Sequence, residues 1–328
     1  MTGRQQIIKL LLLSSVFVTA IPVQAQTEKQ LVPADLKQQT IVTEPVTLRK
    51  GYFRAGAIFN YRVADKFFND GKDKEYYLTS SWGTKSAYNL TVQYGFSDRL
   101  EAELLTEYMY SKQKSQSVEV VPGTNTTTTV TSKQQGLGIG DTHLDIKYQL
   151  IPESKYRVSL TGIINSTFPT GEKNPTNIRS ANQYDLPVGD GTYSLAGELY
   201  ARMISYPYSF TAYTLYEYNF KGSKLLTASD LRETDYKLGN RIEGGLSANV
   251  HLNEWIVFAN QFSYYHEGEG WVGNTYRAIV KPSWAAVHVP NLVFQVKRFR
   301  MAESVSVPLF GRNVPADPLY IITVQYVF

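Results

Sequence analysis

Apolar and polar residues alternate one by one through most of this chain, the period of a strand with two unlike faces. The alternation divides into about twelve segments of roughly ten residues each, long enough for a tilted strand to cross a bilayer. They fall at 50–61, 83–95, 99–110, 138–150, 156–168, 192–203, 208–220, 236–251, 255–265, 274–285, 291–300 and 319–328. In 99–110, Leu100, Ala102, Leu104, Thr106, Tyr108 and Tyr110 share a face, with Glu101, Glu103 and Glu107 on the other. In 138–150, Thr142, Leu144, Ile146, Tyr148 and Leu150 oppose Asp141, His143, Asp145 and Lys147. In 156–168, Tyr156, Val158, Leu160, Ile164 and Phe168 alternate with Arg157, Ser159, Thr161 and Asn165. Two positions weaken the pattern. Trp255 to Phe258 is apolar on both faces, leaving that register open by one residue, and Pro282 removes a ladder donor.

The connections alternate in length. Phe96-Ser97-Asp98, 151–155, 204–207 and 252–254 are short, whereas 62–82, 111–137, 169–191, 221–235 and 301–318 are long. Short turns on one side and long loops on the other are the habit of outer-membrane barrels, where the turns are periplasmic. An even strand number returns both termini to the periplasm. The expected fold is therefore all-β, a transmembrane antiparallel barrel of about twelve strands. A lipid-facing Arg or Lys at midplane would cost roughly 2–4 kcal/mol, so the charged faces must line the lumen.

Composition agrees. The 24 Tyr and 15 Phe suit two interfacial girdles, and the formal net charge of +4 is too balanced to imply nucleic acid. Absence of cysteine excludes disulfides, thiolate metal sites and lipoprotein anchoring, and nothing calls for a cofactor. Arg4 and Lys9 precede an apolar run and Val23-Gln24-Ala25, the pattern of a signal peptide cleaved after Ala25. Residues 26–48, with Pro33 and Pro45, have no clean period and are expected to hang in the periplasm or enter the lumen. The barrel proper is expected over 49–328. The last segment, LYIITVQYVF, ends on Phe328, and resembles the final strand by which outer-membrane barrels are recognised by their assembly machinery. Outer-membrane lipid and lipopolysaccharide are the other expected partners, with a small solute of unknown identity.

Twelve strands spaced ~4.8 Å and tilted ~40° close at roughly 24 Å, leaving a bore of about 10 Å if nothing plugs it. Inward positions carry Arg54, Lys147, Arg157, Arg202, Arg241, Arg277, Lys281 and Lys297. They also carry Glu101, Glu103, Glu107, Asp141, Asp145, Glu198, Glu217 and Glu243. Five of these acids lie on the third and fourth segments, while Arg277, Lys281 and Lys297 lie on the roughly opposite tenth and eleventh. Such walls would set a transverse field across a water-filled constriction. The alternative is a set of locally paired charges filling the bore. His143, between Asp141 and Asp145, is the best candidate base for a hydrolase, though no motif supplies a nucleophile. His266-Glu267-Gly268-Glu269-Gly270-Trp271 reads as a short hairpin loop before a calcium site, and Gly136 to Gly140 lacks the helix and lysine of a phosphate loop.

Three passages occur in a suggestive order: Gly136-Leu137-Gly138-Ile139-Gly140-Asp141 running into Leu144-Asp145-Ile146-Lys147-Tyr148, Phe168-Pro169-Thr170-Gly171, and Val188-Gly189-Asp190-Gly191. Together with Leu48-Arg49-Lys50-Gly51, this resembles the outer-membrane family associated with meta-pathway phenol degradation. The resemblance implies a channel for small solutes, aromatic or otherwise hydrophobic. The residues leave two other readings open: a hydrolase using His143, and a non-conducting barrel acting through loops such as 124–131.

Overall fold

The computed structural model describes residues 47–328 except residue 73 and the stretches 77–81, 121–126, 153–157, 181–182, 226–229 and 274–277. Twelve long strands form the wall. They are β1 (Phe53–Ala64), β2 (Trp82–Ser97), β3 (Leu100–Val120), β4 (Thr127–Ile151), β5 (Val158–Phe168) and β6 (Ser194–Ser205). There follow β7 (Tyr208–Asn219), β8 (Arg241–His251), β9 (Ile256–Glu267), β10 (Ser283–Val296), β11 (Phe299–Arg312) and β12 (Leu319–Val327). Each pairs antiparallel with its chain neighbours, and β1 pairs with β12 from Arg54↔Val327 to Tyr61↔Tyr320, so the sheet closes on itself. The Phe328 amide adds a bond to the Phe53 carbonyl at 2.7 Å, and the two rings lie 5.6 Å apart. Closure is what lets an antiparallel sheet have no unpaired edge.

The wall is apolar on its outside at most positions, Glu303 opposite Leu292 and Ile322 being a polar exception. Leu90, Leu137, Ile164, Leu246, Phe262 and Ile322 point outward and are 40–66% exposed. Contiguous apolar surface on this scale belongs in lipid. No helix among the described residues is long and apolar enough to cross a membrane, so crossing is left to the strands. The short turns at Asp98-Arg99, Tyr206-Pro207 and Lys297-Arg298 share the end of the barrel that carries both strand termini, the periplasmic end in barrels of this kind.

At the other end the connections are built structures. The 111–137 stretch is largely hairpin: β3 and β4 stay paired to Val120↔Thr127, far past the nine to eleven residues that span a bilayer. Lys66–Phe68, Lys74–Tyr76 and Val314–Pro315 make a three-stranded sheet joining the loops after β1 and β11. Gly222–Lys224, Thr234–Lys237, Gly270–Val272 and Ala278–Val280 make a four-stranded sheet joining the loops after β7 and β9. The first part of the expected 236–251 strand and the end of the expected 266–271 hairpin loop, Gly270 and Trp271, are thereby redistributed into this outer sheet, while His266 and Glu267 end β9.

The largest departure from the alternation lies near the carboxy end. The expected strands 274–285 and 291–300 are instead β10 and β11, and the expected loop 301–318 is mostly β11. No break occurs at 286–290. Pro290 sits mid-strand opposite Asn260, where the β10–β11 ladder lapses between His288↔Val307 and Asn291↔Ser304, and Pro308 lies beside a bulge. A proline with no N–H is tolerated where the ladder needs no donor. The strand count survives because both ends of the error shift together. At β9 the open register resolves with Val257 and Ala259 inward and Phe258 outward; Asn253 Oδ1 starts the strand by accepting the Trp255 and Ile256 amides, both at 2.8 Å.

Replacing outward Leu246 by Arg is expected to lower unfolding stability in lipid vesicles by about 2–4 kcal/mol. The check is urea unfolding in vesicles, followed by gel mobility of heated and unheated samples. A change near zero would contradict a lipid-facing wall.

Candidate functional site

The interior is divided both along its axis and across it. Toward the periplasmic end the inward side chains are packed against one another. Glu101, Lys147, Arg202, Thr161, Thr211 and Val293, from six different strands, are all under 2% exposed. An open bore of about 10 Å would leave such side chains wet. The centre of this packing is an ion pair, Lys147 Nζ to Glu101 Oε1 at 2.9 Å, set by the β3–β4 register that places the two residues opposite each other. The other Glu101 oxygen accepts the Leu48 amide at 2.5 Å, and Thr47 Oγ1 donates to the Asp98 carbonyl at 2.9 Å. Thr47 and Leu48 are thus buried at the periplasmic mouth, and Gly95 admits them, since a Cβ there would sit 2.2 Å from the Arg49 carbonyl oxygen. Residues 26–46 of the expected amino-terminal segment lie outside the described residues.

Toward the outer end Glu103, Glu107, His143, Asp145, Glu198, Glu217 and Glu243 are half-buried around a vestibule. Its acids are held by neutral and cationic partners: Asn165 donates to Asp145, Tyr200 Oη to Glu198 at 2.8 Å and Tyr213 Oη to Glu243 at 2.7 Å. Arg241 pairs with Glu243 and lies 4.5 Å over the Tyr265 ring. The Tyr200 and Tyr213 rings stack at 5.3 Å.

Across the axis, the inner wall on β9 to β12 carries two apolar clusters among neutral polar side chains such as Gln261, Asn291, Ser304 and Thr323. Val257, Val293 and Ala302 form one cluster, and Val289 and Ile321, with Ile58 and Val287, form another. Above them Phe68, fully buried, reaches in from the three-stranded outer sheet onto Ala285, Val314 and Ala316. This wall replaces the expected basic one. Lys281 is exposed between Ala278–Val280 and β10, and Lys297 occupies the β10–β11 turn with φ 55°. Arg157 and Arg277 lie outside the described residues. The buried basic residue on this side is Arg300, bonded to Gln325 Oε1 at 3.2 Å. Both faces of 283–296 are largely apolar, so no alternation marks Ala285, Val287, Val289 and Val293 as inward; the only continuous signal there is the run of apolar residues on either side of Pro290.

Asp141 does not face an open lumen. Its carboxylate accepts the Gly171 amide at 3.0 Å and the Asp190 amide at 2.8 Å, tying both ends of the 169–191 connection to β4. Gly171 and Gly189 touch there, and a Cβ on either would meet the other's backbone within 2.8 Å. The three sequence passages built on glycine therefore meet in one place, as the seat of a loop folded against β4. Lys173 Nζ carries that loop on to Glu233 Oε2 and the Ser223 carbonyl, each at 2.9 Å. Asn174 and Ser223 also donate to Glu233. These hydrogen bonds from Ser223, Lys173 and Asn174 hold the Glu233 carboxyl down at about 2.

For hydrolysis, His143 Nδ1 lies 2.9 Å from Thr167 Oγ1, but Asp141 is engaged by backbone amides and Asp145 by Asn165. Among the described residues, no hydrogen bond to a carboxylate orients the imidazole. No group of three or more His, Asp or Glu side chains suited to a metal occurs among the described residues.

Comparison with known proteins now bears on this arrangement. No protein-family model matches the chain, and no curated protein matches it. Among solved structures, it is similar to an outer-membrane channel from Pseudomonas putida F1, at 12% identity and a TM-score of 0.58, covering 86% of this chain and 97% of that one. Weaker likenesses include the translocator domain of the autotransporter NalP from Neisseria meningitidis (9% identity, TM-score 0.47, covering 84% and 88%). The toluene transporter TbuX from Ralstonia pickettii follows (9%, 0.43, 86% and 90%). This protein has the fold of outer-membrane β-barrels. The first likeness carries that statement, and at such identities it speaks of fold alone.

Replacing Lys147 by Met is expected to cost about 3–5 kcal/mol, because it strands the buried Glu101 carboxylate. The double variant Lys147→Met/Glu101→Gln should recover most of that loss in the same unfolding measurement. Glu233 gives a pH test. Its carboxyl lies below the ordinary value near 4.3, so its hold on Lys173 is complete above that value and lost as pH falls through about 2. The Glu233 side-chain carbonyl resonance should titrate near 2, and Lys173→Met should move the midpoint upward.

Proposed function

We propose that the protein resides in the outer membrane and is a narrow conduit for small, partly apolar solutes moving by passive diffusion. The observation that carries this reading is the two-sided interior: an acidic, hydrogen-bonded wall on β3 to β8 faces a wall on β9 to β12 that holds two apolar clusters among neutral polar side chains. A solute with an apolar body and a polar edge finds complementary surface on both sides. A wide water-filled pore needs no apolar clusters, and a purely structural core needs no half-buried acids. The likeness in fold to a bacterial outer-membrane channel is consistent with it. So is the resemblance to the phenol-degradation family through Gly136 to Asp141, Phe168 to Gly171 and Val188 to Gly191, which suggests aromatic compounds as the solute class. The packed periplasmic half means that passage requires side chains there to move.

That same packing favours a second reading, a non-conducting barrel that acts through its outer sheets and long β3–β4 hairpin. Planar-bilayer recording separates the two. The conduit reading expects small discrete conductance steps, and Glu107→Gln with Glu217→Gln should shift the ion preference toward anions. A bilayer that stays silent with folded protein would overturn it and leave the second reading.

A further inference from the structure

At the periplasmic end, a cavity of about 270 Å³ opens beside the β1–β12 seam. That is near the small end of the range for ligand sites. Its lining includes five basic residues, Arg49, Arg54, Lys297, Arg298 and Arg300, and no acidic one. The barrel register explains why they converge. Arg54 on β1 pairs with Val327 and Arg300 on β11 pairs with Gln325, so two inward guanidinium groups flank the end of β12. The β10–β11 turn adds Lys297 and Arg298 at the mouth. Both inward arginines are more than nine-tenths buried.

Buried cations concentrated in one small space favour an anionic occupant, because burial strengthens the field and weakens screening by salt. A guanidinium fork matches the two oxygens of a carboxylate. Arg54 shares its field with the Glu101 and Glu103 carboxylates next to it. Arg300 donates to the amide oxygen of Gln325 at 3.2 Å. Leu48, Tyr52 and Val327 supply apolar surface for the rest of a ligand. A lipid headgroup outside the barrel could reach the turn residues but is separated by the sheet from Arg54 and Arg300.

We propose that this cavity binds a small organic carboxylate, with its charged group held by Arg54 and Arg300 and its apolar body against Leu48, Tyr52 and Val327. The proposal deepens the conduit reading by assigning an anionic solute class, and so rests on it. The test is calorimetric titration of the full mature chain in detergent with benzoate and with benzyl alcohol, its uncharged counterpart. Benzoate is expected to bind at least tenfold more tightly than benzyl alcohol. Arg300→Gln and Arg54→Gln should each weaken benzoate at least tenfold, while heat-modifiable gel mobility shows that the barrel remains folded.

Should either variant fail to fold, Lys297→Gln/Arg298→Gln on the exposed turn carries the test. It should weaken benzoate several-fold at low salt, with the difference vanishing near 1 M salt, where the screening length falls to about 3 Å. Equal binding of benzoate and benzyl alcohol, no benzoate binding, or indifference to these substitutions would each overturn the proposal. Because binding is read in micelles without transport, a silent bilayer with benzoate still bound would sink the conduit and leave the site. Open channels with no benzoate binding would do the reverse.

Discussion

Everything in this molecule follows from the need to leave no backbone amide or carbonyl unpaired in hydrocarbon. The chain meets it by pairing β1 with β12, so that twelve strands share one continuous hydrogen-bonded cylinder. The ring of Phe53 against Phe328 and the last amide bond fix the register at the seam. With the backbone satisfied by closure, side chains carry only the choice of which face meets lipid and which meets the interior. The usual order of a globular protein is inverted, with large apolar residues exposed and charged residues buried.

That inversion turns the interior into the stability problem. Six strands contribute side chains under 2% exposed, including Glu101, Lys147 and Arg202, which are costly to bury unless well partnered. The Glu101–Lys147 pair and the Leu48 amide form one such partnership, and it also anchors the chain just ahead of β1. At the opposite end the same logic acts through backbone: Asp141 holds the amides of Gly171 and Asp190, and Lys173 links that loop to Glu233. Both mouths are thus held by a carboxylate that accepts main-chain N–H groups from a neighbouring connection.

The strand count, closure, and the inward placement of Glu101, Glu103, Asp145 and Lys147 were legible because those strands have one charged and one apolar face. The wall from 283 to 296 was not, because Ala285, Val287, Val289 and Val293 face inward while Ala286, Leu292 and Phe294 face out. Period-two reasoning finds a face only when the two sides differ chemically. Pro290 and Pro308 compounded this, since a lapse in one ladder is invisible from a single strand. The outer sheets were equally hidden: pieces of three or four residues such as Lys66–Phe68 have no periodicity until a distant loop pairs with them. Arg300 was within the stretch read as a strand end, but its importance depends on Arg54 lying across β12.

The distribution of charge along the axis has a consequence of its own. Acidic side chains surround the outer vestibule, and basic ones gather at the periplasmic cavity beside the packed Glu101–Lys147 pair. Fixed charges of opposite sign at the two ends of a narrow passage form a bipolar junction. One polarity of voltage draws cations and anions toward the middle, and the other sweeps both outward and depletes it. Were the barrel to conduct, this order would rectify its current, with the forward direction written in the sequence of its strands.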